Sequence, residues 1–199
     1  MRKSLLFVWA CMGLVCLMSA CKTSVKSKEW KLVWVEDFDQ KNSFDESVWT
    51  KIPRGTSDWN NYMSYYDSCY AMQDGNLILR GIANHTQKND TAPYLTGGVY
   101  TKGKKLFTGG RVEVCARLQA AKGAWPAIWM LPEKAEWPKG GEIDIMERLN
   151  HDRIAYQTTH SYYTHILGIK DNPPHGGINK INPCLLYTSP SPRDRTRSR

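Results

Sequence analysis

Gly140-Gly141-Glu142-Ile143-Asp144-Ile145-Met146-Glu147-Arg148-Leu149-Asn150 holds three carboxylates within six positions, separated by apolar residues. In an extended strand, successive side chains alternate faces. Glu142 and Asp144 therefore point one way, while Ile143 and Ile145 point the other way, into a core. Glu147 has the wrong parity. Five residues from Glu142, it faces the core of a regular strand, where an unpaired carboxylate is costly. A one-residue bulge at Ile145-Met146 removes the conflict by returning Glu147 to the face of the other two, and bulges gather beside active sites. Glu142 and Glu147 are then four effective strand steps apart, roughly 13 Å between Cα atoms at about 3.3 Å per step.

Two Glu side chains that lean together across that span leave roughly 5 Å between carboxyl groups, the separation of nucleophile and acid/base in a retaining glycosidase. A solvated acidic strand face is the other reading of E-x-D-x-x-E. The flanking residues bear on the choice. Lys122-Gly123-Ala124-Trp125-Pro126-Ala127-Ile128-Trp129-Met130-Leu131-Pro132 places Trp125 and Trp129 four apart, on one strand face. Flat rings cover the C–H faces of sugars, and ligand pockets combine aromatic walls with a few polar groups. The alternative for both Trp residues is a place in the core.

Together these two stretches resemble glycoside hydrolase family 16, whose laminarinase-like branch carries the bulged E-x-D-x-x-E motif. The resemblance extends to Trp34-Val35-Glu36-Asp37-Phe38-Asp39 as an opening strand and to Asp74-Gly75-Asn76-Leu77-Ile78-Leu79 as a hairpin. It also covers Gly109-Gly110-Arg111-Val112-Glu113-Val114, with Cys115 where the family often has Arg, and Thr158-Thr159-His160, where it carries a cleft His. It runs from about Trp30 to Pro183. It implies an all-β, antiparallel two-sheet β-jelly-roll sandwich with a cleft across its concave face. It also implies Glu142 as nucleophile, Glu147 as general acid/base and Asp144 as assisting carboxylate. Three close carboxylates do not all ionise easily, so one keeps a proton near neutral pH; a protonated Glu can give it to the leaving glycosidic oxygen while an ionised Glu attacks the anomeric carbon.

The implied activity is that of a retaining endo-β-glycanase acting on β-1,3-(1,4)-glucan, with an endo-β-galactosidase on mucin-type or algal galactans as the alternative. The segment Arg54 to Tyr66 lines the cleft in the family. There Asn61 takes the position of a sugar-binding Asn, and Trp59 is placed to stack. Laminarinases usually read N-E-x-Q-x-Y at this point, and W-N-N-Y-M-S departs from that, which leaves room for galactose-containing chains. Arg54 either meets an anionic sugar or pairs with Asp58. His160 completes the set of expected substrate contacts. A non-catalytic glycan-binding protein on the same scaffold has no need of Glu142 and Glu147 together. No cofactor is expected, apart from a structural calcium that the resemblance allows near Glu36.

The ends of the chain read differently. Met1-Arg2-Lys3 precedes an uncharged, mostly apolar stretch from Ser4 to Ala20, the pattern of a secretory leader over residues 1–20. It closes on Leu17-Met18-Ser19-Ala20-Cys21, which resembles a bacterial lipobox. Cys21 is then the lipidated first residue, residues 21–28 form a polar tether, and the protein sits in the bacterial cell envelope, held to the membrane by its lipid alone. The alternative is ordinary cleavage with Cys21 incidental. Residues 184–199 abandon strand periodicity for Ser, Pro and Arg, the composition of a disordered basic tail; they also resemble translated sequencing-adapter text, so a non-native tail is expected, with a native tail or a nucleic-acid-binding arm as the alternatives.

These ends account for the charge. The formal net charge is +8, yet five Lys/Arg fall in residues 1–28 and four, with one Asp, in residues 184–199. The 18 basic and 18 acidic residues left in 29–183 balance. A neutral domain gives no footing for a nucleic-acid partner, and the expected partner is a glycan met by a monomer. Of six cysteines, Cys69 and Cys115 alone lie within the domain. They either pair or act as small buried hydrophobes.

Between the ends, strands are expected at Lys31 to Val35, Leu77 to Leu79, Thr96 to Thr101 and Arg111 to Arg117, with no helix of convincing length. Residues 29–183 suffice for a core. The resemblance calls for further strands after the catalytic one, so a partial catalytic domain with its C-terminal strands missing is expected. Cys21→Ala is expected to abolish incorporation of labelled palmitate in a bacterial host and to move the protein from the membrane fraction to the soluble periplasm. Unchanged membrane retention counts against lipidation.

Overall fold

The computed structural model describes residues 30–40, 42–119, 121–170, 176–181 and 187–188. The expected leader, Cys21 and tether lie outside the described residues, as does the expected tail apart from Tyr187–Thr188. The chain divides into a unit ending at Glu36 and a unit beginning at Asp37. In the first, Trp30–Glu36 is irregular, so the strand expected at Lys31 to Val35 is not formed. An apolar run supplies the side chains of a strand but not the neighbouring backbone that a ladder requires.

The regular elements described in the second unit are almost all β-strands. In chain order its strands are β1 (Thr50–Lys51), β2 (Tyr70–Gln73), β3 (Asn76–Leu79), β4 (Gly81–Ala83), β5 (Tyr94–Thr96) and β6 (Val99–Tyr100). They continue with β7 (Cys115–Ala116), β8 (Ala127–Met130), β9 (Glu142–Glu147), β10 (Ile154–His160), β11 (Gly176–Lys180) and β12 (Tyr187–Thr188). A single helical turn, α1 (Tyr162–His165), follows β10. Ser161 caps it, with its Oγ accepting from the Thr164 N–H.

The architecture is antiparallel throughout the named strands. The main sheet has the order β11-β10-β9-β8, and two-stranded ribbons join β1 to β6, β2 to β3, β4 to β5 and β7 to β12. The β2–β3 hairpin turns on Asp74-Gly75, with φ of 51° and 69°. Two positive φ values in a two-residue loop match the right-handed twist of the flanking strands, which is why Asp-Gly occurs there.

The strand expected over Thr96 to Thr101 is broken at Gly97-Gly98 because the chain changes partners. Gly97 N–H donates to the Arg80 carbonyl on the β4–β5 side, while the Gly98 carbonyl accepts from Ile52 N–H on the β1–β6 side. Of Arg111 to Arg117, Cys115 and Ala116 alone enter a ladder. Alternation fixes which face each side chain takes but not whether a partner strand is present.

Under the main sheet, Met146, Ala155 and Ile181 are buried together, with Leu118 and Ile128 packed against them. These residues come from five separate segments, so this small core ties β8, β9 and β10 to the chain after β11 and to the segment after β7. Met146→Ala deletes a fully buried side chain. It is expected to lower the unfolding free energy by about 2–5 kcal/mol, read from urea denaturation midpoints. A loss below 1 kcal/mol would mean that this cluster does not support the sheet.

Candidate active site

The register of the main sheet determines where the three carboxylates go. Opposite β10, Glu142 faces His160, Asp144 faces Thr158 and Glu147 faces Tyr156. Those partners are spaced by two, so all three carboxylates project from one face. Three residues of β9 are taken up where β10 uses two. On β8, Asp144 faces Trp129 and Met146 faces the adjacent Ile128, so Ile145 is the extra residue. The expected bulge is therefore present. Measured along β10, Glu142 and Glu147 are four residues apart, about 13 Å. Met146 is fully buried beneath the bulge. Ile143, expected in the core, lies on the core-side face yet is 52% exposed. It pairs with Met130 and Thr159, away from the Met146 cluster, so parity puts it on that face without anything covering it.

Two indoles hold the outer carboxylates. Trp125 Nε1 donates to Glu147 Oε1 at 2.8 Å. Trp125 reaches it because backbone hydrogen bonds from Arg148 to Pro126 and from Asn150 to Ala124 carry the β8–β9 ladder past its formal end, which leaves Trp125 diagonal to Glu147 on the same face. At the other end, Trp137 Nε1 donates to Glu142 Oε2 at 2.6 Å. Trp137 sits in the turn that feeds β9. Gly141 ends that turn at φ 79°, a conformation that disfavours any residue with a Cβ. Its own α-carbon lies beside the His160 carbonyl, where a Cβ would come within 3.3 Å.

Asp144, between the two, is 4% exposed. Burial first, then the charges of Glu147 and Glu142 and a hydrogen bond with Glu142, push its carboxyl up to about 7. The sequence called for one proton among the three carboxylates, held by a Glu acting as acid; in the resting site, burial and the neighbouring charges favour protonation of Asp144 instead. The Asp144 Oδ2 atom is buried without a hydrogen bond, although His160 Nε2 lies 3.2 Å away. The pair has the separation of an ion pair without the alignment of a hydrogen bond. His160 also faces the His165 ring at 6.2 Å, and His165 stands edge-on to Trp137 at 4.4 Å. Trp137 and His165 were not anticipated. The signal for Trp137 was its place directly upstream of the Gly-Gly turn, while His165 depends on a helical turn that the pattern did not predict.

The remaining expected contacts divide. Trp59 packs edge-on against Trp129 with ring centroids 5.0 Å apart, which brings the 54–66 loop beside Asp144. Asn61 Oδ1 is buried without a hydrogen-bond partner, an acceptor left to a ligand or water. Arg54 pairs with Asp90, not with Asp58. Its terminal nitrogens donate to both Asp90 oxygens at 2.6 Å and its Nε donates to the Met63 carbonyl at 3.0 Å. The guanidinium thus ties two loops together. Cys69 and Cys115 are both free, the first buried and the second exposed. No group of three or more His, Cys, Asp or Glu able to hold a metal ion occurs among the described residues.

The chain is similar to known proteins. Residues 70–175 match the family profile described as the XgeA-like, catalytic GH16 domain. The keratan-sulfate endo-1,4-beta-galactosidase of Sphingobacterium multivorum is 42% identical over 144 residues, 70% of this chain and 34% of its own length. The beta-glucanase of Rhodothermus marinus is 34% identical over 163 residues, 77% of this chain and 56% of its own. The chain thus spans from about a third to just over half of the length of these relatives. The laminarinase catalytic domain of Thermotoga maritima superposes with a TM-score of 0.67 at 28% identity, covering 81% of this chain and 69% of that one. With that likeness, the antiparallel strands belong to a two-sheet jelly-roll sandwich.

The raised carboxyl of Asp144 has a consequence for stability. The folded protein holds its proton up to about pH 7, whereas the unfolded chain releases it near 3.9. Between those values the native state binds the extra proton, so stability falls as pH rises, by a few kcal/mol in all. Asp144→Asn is expected to flatten this decline. In urea unfolding at pH 5 and pH 8, the variant gains on the wild type at pH 8. Parallel pH profiles for the two proteins would show that Asp144 is not the titrating group.

Proposed function

Because this chain belongs to glycoside hydrolase family 16, we propose that it is a retaining endo-β-glycanase that cleaves internal bonds of a polysaccharide. The supporting observation is the face shared by Glu142, Asp144 and Glu147 across the β9 bulge, with an indole donor on each outer carboxylate. In this reading Glu142 attacks the anomeric carbon. With Glu147 protonated from solvent as the substrate binds, the glycosidic C–O bond breaks while Glu147 gives that proton to the departing oxygen, leaving a glycosyl ester on Glu142. Glu147, now a carboxylate, takes a proton from water. The water oxygen attacks the anomeric carbon and the ester bond to Glu142 breaks.

Asp144 follows the charge on Glu142. Its proton is shared with Glu142 in the free protein, and esterification of Glu142 removes one of the charges that hold that proton in place. The Trp125 and Trp137 N–H groups are given the task of keeping the two outer carboxylates apart and aimed at one linkage. Trp129 and Trp59 offer ring faces and edges to sugars, His160 lies beside Asp144, and Asn61 offers an acceptor.

The substrate of the first reading is β-1,3-(1,4)-glucan. A second reading, endo-β-galactosidase action on mucin-type or algal galactans, draws on the W-N-N-Y-M-S loop that Trp59 docks onto Trp129 and on the 42% identity to a galactosidase. A glycan-binding protein without catalysis leaves the paired carboxylates unexplained. We further propose a monomer working in the bacterial envelope, tethered through Cys21 and with no nucleic-acid partner.

The test is a screen of the recombinant chain on laminarin, lichenan, agarose, porphyran and mucin or keratan glycans. Glu142→Ala and Glu147→Ala are each expected to lower turnover on the responsive glycan by roughly 10²–10⁴-fold. On an activated aryl glycoside, azide should restore turnover to both, giving the inverted glycosyl azide with Glu142→Ala and the retained one with Glu147→Ala. Wild-type rates in both variants would falsify the enzymatic reading.

A further inference from the structure

We infer that Gln157 is the positioning residue that holds the β9 bulge, and through it the carboxylate of Glu147. The inference rests on the glycosidase reading above. Gln157 lies on the core-side face of β10, between Tyr156 and Thr158, at the point where the register slips. Its Nε2 donates to the Ile145 carbonyl at 3.1 Å. Ile145 is the inserted residue, so its backbone is out of step with the ladder and its acceptor needs another partner. The Gln157 Oε1 atom in turn accepts from Asn179 Nδ2 on β11 at 2.5 Å. Asn179 pairs with Ala155, two residues from Gln157, so the two amides are diagonal neighbours on one face. The strand next to β10 thus orients an amide that caps the irregularity in the strand on its other side.

This relay acts on a choice between two registers. With the bulge, Glu147 joins Asp144 and Glu142 and meets Trp125. Without it, Glu147 turns toward the space that Met146 fills. A part-buried carbonyl left without a donor is unfavourable, so the Gln157 amide weighs against every arrangement of β9 in which that carbonyl is displaced. The Gln157 side chain lies on the face of β10 opposite the one that Tyr156 and Thr158 share with the carboxylates. Its effect on the reaction passes through Glu147.

Gln157→Met keeps the length of the side chain and removes both the donor and the acceptor. On the responsive polysaccharide it is expected to lower kcat by roughly a hundredfold with little change in KM, the scale of loss for a catalytic group displaced by about 1 Å. An aryl glycoside with a dinitrophenolate leaving group departs without a proton. On that substrate the burst of dinitrophenolate is expected at the wild-type rate, with azide restoring turnover. Asn179→Leu should show the same pattern with a smaller loss. Equal losses on both substrates would reduce Gln157 to a stabilising residue, and no loss on either would remove the inference altogether. If the wild type is inert on every glycan and aryl glycoside, the enzymatic reading falls. A crystal structure of Gln157→Met then decides the inference by itself: Glu147 displaced from Trp125 supports it, and an unmoved bulge and Glu147 overturn it.

Discussion

A single extra residue in β9 sets the geometry of everything that can react. In a regular strand, five residues separate Glu142 from Glu147 by an odd number of alternations, and the two carboxylates lie on opposite faces of the sheet. Ile145, inserted between the Trp129 and Ile128 pairs of β8, converts five positions into four steps and brings both to one face. The insertion is held from both sides. Met146 anchors it in the small core under the sheet, and the Gln157 amide takes the carbonyl that the ladder cannot use. Apolar burial supplies the anchorage, while hydrogen bonding defines which way the chain leaves the bulge.

The same compactness creates an electrostatic conflict. Three carboxylates on one face, the middle one almost without solvent, raise the free energy of the ionised state. The conflict is relieved by different means at each position. Glu142 and Glu147 remain within reach of water and each receives an indole N–H. Asp144, denied water, keeps its proton and shares it with Glu142. The arrangement divides three chemically similar groups into two able to react and one that adjusts its charge to theirs, a division to which burial contributes most and the neighbouring charges the rest. Trp137 and His165 extend it outward, since the group bonded to Glu142 is packed against a ring that also faces His160.

The parts legible in the sequence were those governed by local periodicity. Alternation in Glu142–Glu147 demanded a bulge, and a bulge at Ile145 is present. Spacing of four put Trp125 and Trp129 on one face, and Asp74-Gly75 announced a hairpin. What misled was the step from pattern to partner. Lys31 to Val35 and most of Arg111 to Arg117 have strand-like composition without a ladder. Ile143 has core parity without a cover, and Arg54 found Asp90, 36 residues away, when Asp58 was near at hand. In each case the missing information was the identity of the neighbour.

Residue order by itself therefore determined the β character, the trio of carboxylates, their common face and the family to which the chain belongs. These follow from the two-residue repeat of an extended backbone, which any strand of this composition must obey. The tertiary structure decided which carboxylate keeps a proton, which indoles meet the other two, and that Gln157 and Asn179 brace the bulge. Burial and hydrogen bonding depend on atoms brought together from distant positions, and the spacing along one strand carries no record of them.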